Sequence, residues 1–409
     1  MKSKSFSPEL MAPAGNLIHL QTAIHAGADA IYFGSSQFNM RARARNFSPD
    51  DLVPMVNRCH EAGVKAYLTV NTIVYENELD DLRQLLIQAG EAKTDMVIAW
   101  DWGVIDLCQE LGVPFAISTQ GSVSNSAGIR LAEKLGAKRV VLARECSLED
   151  LRQIREKSSL EIEVFVHGAM CVAVSGRCFM SHELFNHSAN RGDCIQPCRR
   201  TYEVTATDTE TGDQLIIGED SIMSPSDLCA LPFLDQLIAS GVHSLKIEGR
   251  KRSPEYVQVV TGVYRQAIDA VMEDRFTPDR IQNWMEQLGT VFNRGFSSGF
   301  YLDIPGESAW SAGPSNQSAW HKEYIGKMVT TPGVPGSVSL KIEARNALRH
   351  EKVVLNSVHT GVAFFDLNWK EDQQEAIQGT LVTPDAGLNF HPGDQIYAWI
   401  MDSKGDKSE

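Results

Sequence analysis

The sequence predicts an α/β fold, a (β/α)8 TIM-like barrel with a cysteine-rich insertion between its seventh and eighth strands, followed by a small C-terminal all-β, barrel-like domain. Three observations carry that reading. Eight short apolar runs alternate with helical patterns over residues 8–272, the order of a parallel α/β fold. Several helical patterns stop at a glycine directly before the next strand (Gly63, Gly112, Gly136, Gly241), where a left-handed cap ends a helix. The first strand runs into APAGNL rather than G-x-G-x-x-G, the phosphate turn of a doubly wound dinucleotide fold.

Taken in order, strands are expected at 8–14, 28–34, 64–71, 95–100, 114–120, 138–144, 161–168 and 242–249. Helical patterns at 17–27 and 48–63 separate the first three, and Ser48-Pro49 and Ser253-Pro254 have the form of N-cap and first-turn pairs. Residues 169–241 form the insertion, including a hairpin that turns at Glu210–Asp213. The barrel domain is expected over 1–302 and a Gly/Ser/Pro-rich connector over 303–323. Alternating segments such as GSVSLKIEA and DQIYAWIM then place the β domain at 324–402, with a frayed tail at 403–409.

A formal charge of −14 over 409 residues argues against indiscriminate nucleic-acid binding, which rests on phosphate neutralisation. Local basic runs remain, at Arg41, Arg43 and Arg45, at Arg199 and Arg200, and at Arg250, Lys251 and Arg252. No apolar run approaches the ~20 residues that cross a bilayer, and MKSKSFSPELMAPAG has no signal-peptide core. A cytoplasmic protein without a membrane partner is the expectation.

The chain has eight cysteines, five of them between residues 171 and 229. Soft thiolates gathered in an intracellular-looking protein point to zinc or an iron–sulfur cluster before disulfides. The spacing runs C-x6-C, fifteen residues, C-x3-C, then thirty residues to Cys229. Only Cys194 and Cys198 approach a zinc-knuckle pair, and the tight ferredoxin run is absent. Spacing alone leaves a four-thiolate iron–sulfur site, zinc and buried free thiols open. Cys59, Cys108 and Cys146 read as ordinary small buried residues.

In a barrel the chemistry sits at the C-terminal ends of the strands. Those ends supply His167, expected as an acid/base or cluster partner, and Lys246 and Glu248, which alternate and so share the inward face. The last two are read as proton-transfer groups or as a buried ion pair. Arg41, Arg43 and Arg250 are the expected anion-binding residues, and Tyr75, Trp100 and Trp102 the candidates for stacking on a base. Two peptidase-like strings carry little. HELFNH (182–187) is one residue too long for H-E-x-x-H, and GFSSG (295–299) lacks the strand-to-helix setting of a nucleophile elbow.

The stretch EVFVHGAMCVAVSGRCFMS (163–181) resembles throughout the signature of peptidase family U32, the collagenase-like peptidases. NRGDCIQPCRRTYEV (190–204), SPSDLCAL (224–231), SLKIEGRKRSPEYV (244–257) and NRGFSSGF (293–300) are similar to further landmarks of that family, over about residues 8–302. The resemblance implies an oxygen-independent hydroxylase with a [4Fe-4S] cluster, acting on RNA bases or a ubiquinone precursor. The branch it looks most like makes 5-hydroxyuridine at the tRNA wobble position, with prephenate as the implied oxygen source; a related branch makes 5-hydroxycytidine in rRNA. Partners would be tRNA and an electron donor. Carried over, the implied ligands are Cys171, Cys178, Cys194 and Cys229, with Cys198 as the alternative. The insertion between the third and fourth cysteines is shorter here than in the longer RNA-modifying members, which leaves the substrate open. Peptidase activity is the further alternative that the family's name carries.

Overall fold

The computed structural model describes residues 7–402 apart from 42–45, 175–176, 221–222, 307–308, 312, 314–315 and 370–372. In chain order the barrel begins with β1 (Glu9–Pro13), β2 (Ala30–Gly34), β3 (Lys65–Val70), β4 (Met96–Ala99), β5 (Phe115–Ile117), β6 (Arg139–Val141) and β7 (Glu161–Ala169). The insertion follows, with β8 (Tyr202–Thr207) and β9 (Gln214–Asp220) as the expected hairpin and a short β10 (Asp227–Cys229). Next comes β11 (Ser244–Ile247), which pairs in parallel with both β1 and β7 and closes the sheet into eight parallel strands. Each of the eight lies within the run predicted for it or extends one residue past it. The apolar runs are legible because these strands are buried on both faces, as in β2, where all five residues are buried.

Helices α1 (Leu17–His25), α2 (Leu52–Glu61), α3 (Leu79–Glu91), α4 (Trp102–Leu111), α5 (Ser126–Lys134) and α6 (Leu148–Glu156) follow the first six strands. Their ends are set by local chemistry. The Asn16 side chain accepts from the His19 amide at the start of α1, Ser147 and Asp150 form a capping box on α6, and Gly112 ends α4 in the left-handed region. The insertion holds α7 (Met180–Phe185), and α8 (Leu234–Ala239) and α9 (Pro254–Met272) flank β11. Helix α10 (Pro278–Gly289) packs on α9 and leads to β12 (Phe296–Ser297), which pairs with β10. No helix of the described residues is long and apolar enough to cross a membrane.

Inside the barrel an apolar layer of Met11, Tyr32, Tyr67, Met96 and Ile98 separates a charged floor from the mouth. In the floor, Arg139 reaches Glu9 at 2.6 Å, Glu161 at 2.7 Å and Glu163 at 3.0 Å, and Glu163 also holds Lys246 at 2.8 Å. Burial alone would raise the Glu9 pKa, but Arg139 and Lys65 outweigh it and hold that carboxyl below its ordinary range.

The C-terminal domain begins at Trp320, inside the segment read as a connector. It comprises β13 (Trp320–Thr330), β14 (Val338–Ile342), β15 (Ala347–Leu348), β16 (Lys352–Ser357), β17 (Gly361–Asp366), β18 (Glu375–Ala376), β19 (Leu381–Val382) and β20 (Gln395–Met401). Six of these form one antiparallel sheet in the order β17-β16-β20-β13-β14-β19, over a core that includes Trp369, Ile325 and Leu355. The sheet docks on the barrel. The Val362 amide donates to Thr22 Oγ1 on α1, and Lys322 pairs with buried Glu255 at the start of α9 at 2.7 Å. Gly361 sits at φ 74°, and a Cβ there would lie 2.7 Å from the Thr22 nitrogen, so only glycine permits this contact.

Candidate active site

The C-terminal ends of the strands open onto one pocket, whose walls include Tyr32, Arg144, Phe165, Lys246, Glu248 and Arg250. Cys171, Cys194 and Cys198 line its mouth. The charges of Cys171, Cys194 and Cys178 act on the Cys198 thiol, so the four sulfurs form one electrostatic group. Burial raises the Cys198 pKa first, and the three neighbouring thiols add to that against the pull of Arg199. The turn between Cys194 and Cys198 places Gln196 at φ 58°, a left-handed position for a non-glycine residue that costs roughly 1–3 kcal/mol. That strain lies in the segment presenting two thiols to the pocket.

Cys229, one of the ligands that the resemblance implies, does not line this pocket. Its sulfur lies 3.8 Å from Tyr264 Oη and 3.8 Å from Met285 Sδ, in the layer beneath α9 and α10, and burial pushes its thiol up to about 11. His167 departs from expectation for the same reason. Cys229 and His167 are direct partners in the antiparallel β10–β7 pair, and opposed residues point to the same face. A register shift in the β7–β11 pairing, where Phe165 and His167 face the successive residues Lys246 and Ile247, re-aims His167 outward. Its ring packs among Tyr256, Tyr264 and Phe296, and burial lowers its pKa to about 3. A neutral, buried imidazole outside the pocket is not placed for acid/base work there.

Three thiols at one mouth, with Cys178 nearby, are chemically suited to a thiolate-ligated metal group. Among the described residues, no three His, Cys, Asp or Glu side chains already stand close enough to hold a single ion. Ligation therefore requires the thiols to turn toward a common centre. Arg199, part of one of the basic runs, is a buried strut. It donates to Ser224 Oγ at 3.0 Å and to the carbonyls of Pro225 and Met170, tying the cysteine segment to the strand that carries Asp227.

Lys246 and Glu248 do face inward as predicted, yet they do not pair with each other. Lys246 pairs with Glu163, a residue given no role from sequence, and stands over the Tyr32 ring at 4.5 Å. Glu248 accepts from Arg41 at 3.1 Å. Burial opposes ionisation of Glu248, but Arg41, Arg144 and Arg250 prevail and hold its pKa at about 2. Arg250 is 4% exposed and donates to Thr69 Oγ1 at 3.0 Å and Asn39 Oδ1 at 3.2 Å. Burial lowers its pKa to about 10, so it stays charged. Arg144, the other unforeseen contributor, donates to the Ala169 carbonyl at 2.6 Å and lies 4.0 Å over Phe165. Among the described residues, neither Arg144 nor Arg250 has a carboxylate at ion-pair distance. Arg43 lies outside the described residues.

These shifts make stability pH-dependent. In the unfolded chain an imidazole takes its proton near 6.5 and a glutamate near 4.5, whereas folded His167 and Glu248 wait until about 3 and about 2. The unfolded chain thus binds more protons across both windows, and stability falls as pH falls. The urea midpoint is expected to drop steadily from pH 7 to pH 4. Glu248→Gln should flatten the part below pH 4.5 and leave the upper part; a midpoint constant over that range would contradict the burial of both groups.

The structure is a closed parallel barrel whose C-terminal mouth gathers thiols and guanidinium groups. The chain belongs to peptidase family U32, whose sequence profile matches residues 15–311. It is 37% identical over 406 residues to a collagenase of Porphyromonas gingivalis (strain W83), covering 95% of this chain and 97% of that one. It is 38% identical over 303 residues to tRNA hydroxylation protein P1 of Bacillus subtilis, covering 73% and 72%. A 23S rRNA 5-hydroxycytidine synthase of Escherichia coli is 36% identical over 278 residues, which are 67% of this chain and 41% of that protein.

Proposed function

We propose that this protein is an oxygen-independent RNA hydroxylase that forms 5-hydroxyuridine at the wobble position of tRNA, with an iron–sulfur cluster held by Cys171, Cys178, Cys194 and Cys198. The observation that carries the reading is that Cys171, Cys194 and Cys198 line a pocket that also holds Arg144 and Arg250, with Cys178 near enough to act on the Cys198 thiol. The names of the tRNA and rRNA hydroxylation relatives support the reaction class. When bound, such a cluster supplies electron transfer at the pocket mouth.

The chain's own residues would do the rest. Converting C5–H to C5–OH is a two-electron oxidation that inserts oxygen, so an oxygen donor must share the pocket with the base. Prephenate, a dicarboxylate, suits the guanidinium groups of Arg144 and Arg250, both of which line the pocket. Glu248 is too acidic to act as a general base near neutral pH and serves to fix Arg41. Lys246 Nζ, held by Glu163 at the base of the pocket, is the proton-carrying group that remains.

Two measurements test this. Nucleoside mass spectrometry of tRNA and rRNA from a deletion strain should lose 5-hydroxyuridine from tRNA and regain it on complementation. Loss of 5-hydroxycytidine from rRNA would instead assign the protein to that substrate, and no loss from either would reject RNA hydroxylation. Anaerobic purification should yield a brown protein with iron and labile sulfide. A colourless zinc protein would reject the cluster.

A further inference from the structure

Several aromatic side chains that the fold leaves in solvent sit in the segments following β3, β4 and β7, on the side of the barrel where its strands end. Trp102, at the start of α4, is 68% exposed, Tyr75 beyond β3 is 53% exposed, and Phe179 beside Cys178 is 71% exposed. Single exposed rings are unremarkable on a protein surface, but several at one rim of a barrel are a recognition feature. Arginines accompany them. The guanidinium of Arg191 lies 4.5 Å over Tyr75, and that of Arg200 4.2 Å over Phe185. Arg177 lies 5.6 Å from Trp100 and donates to the carbonyl of Gln120, which itself lines the pocket. The Trp100 indole donates to the carbonyl of Asn71, another lining residue. Trp100 and Arg177 thus join the pocket wall, and Arg191, which also pairs with Glu78, holds Tyr75 on the same side of the barrel.

We infer that this rim is a stacking surface for unpaired RNA bases, which takes the neighbours of the base delivered to the pocket. The inference rests on the RNA reading above and adds where the RNA strand lies. Alternating rings and guanidinium groups suit single-stranded nucleic acid, because every base has a face that stacks on either. With a net charge of −14, the chain has no general attraction for phosphate, so affinity must come from such local contacts. A base entering the pocket must leave its stack, and a rim that re-stacks the flanking bases offsets that cost.

The test uses anaerobically purified full-length protein and a fluorescent anticodon stem–loop oligoribonucleotide, with a blunt RNA duplex as control. Trp102→Ala and Phe179→Ala should each weaken stem–loop binding by roughly tenfold or more, and Trp102→Phe should restore it. Iron content and the thermal midpoint should match the parent, and duplex binding should not change. If the parent binds the stem–loop and the alanine variants bind it equally well, the stacking surface is wrong while the RNA reading survives. That outcome, with reduction by an electron-donor protein slowed instead, would assign the rim to a protein partner. If the parent binds no RNA at all, the RNA reading falls and takes this inference with it.

Discussion

Replacing Cys198 with serine is expected to abolish iron binding and hydroxylation together, while Cys229→Ser leaves both at the parental level. The contrast follows from placement. The Cys198 thiol shares the pocket mouth with Cys171 and Cys194 and feels the charge of Cys178, whereas Cys229 points into the layer formed by Tyr264 and Met285. A serine at 229 puts a hydroxyl where a weakly polar sulfur sat, at a cost of about 1 kcal/mol with the Tyr264 hydroxyl as a partner. Cys171→Ser, Cys178→Ser and Cys194→Ser should behave like Cys198→Ser. The measurement is iron and sulfide per chain after anaerobic purification, with the thermal midpoint as a control for folding. Iron retained in Cys198→Ser and lost in Cys229→Ser would return the ligand role to Cys229.

Sequence reading reached the barrel because its parallel strands are mostly apolar runs and helices follow the first six of them. It located the mouth for the same reason, since the ends of strands follow once the strands are placed. What it lacked was the face each side chain takes there. Strict alternation along β7 would put His167 inside with Phe165, but one extra residue in β7 against β11 reverses the side that follows. The antiparallel β10 then inherits that reversal through its pairing with His167, and Cys229 leaves the site with it. Neither event has a signature in a single sequence, because the bulge is set by how β7 meets a strand 80 residues away.

Ion-pair partners were the other gap. Lys246 and Glu248 are close in sequence and share a face, which made them natural partners on paper. In the barrel each finds another opposite charge, Glu163 on β7 for Lys246 and Arg41 in the segment after β2 for Glu248. Register across a closed sheet decides this, and only the fold supplies register. Arg144 escaped a role because a strand-end arginine reads the same whether it points into the mouth or into solvent. Its 4.0 Å contact with inward-facing Phe165 is what identifies it.

Glu163→Leu is expected to be the most damaging single change in the barrel that removes no thiol. Glu163 is 1% exposed and is shared by two cations, Arg139 at 3.0 Å and Lys246 at 2.8 Å. Arg139 keeps Glu9 and Glu161, but Lys246, 4% exposed, loses its carboxylate in the barrel interior. Removing one partner of a buried pair costs about 3–5 kcal/mol, mostly as the penalty of the charge left behind. The double variant Glu163→Leu/Lys246→Met should recover much of that, because no unpaired ammonium remains. Urea unfolding of the parent, both single variants and the double variant measures the coupling directly. Activity separates the two roles of Lys246. If it only neutralises Glu163, the refolded double variant hydroxylates RNA at the parental rate. If Lys246 carries a proton in the reaction, the double variant is stable, binds RNA and iron, and turns over far more slowly. A double variant no more stable than Glu163→Leu would mean that the pair contributes nothing beyond its packing.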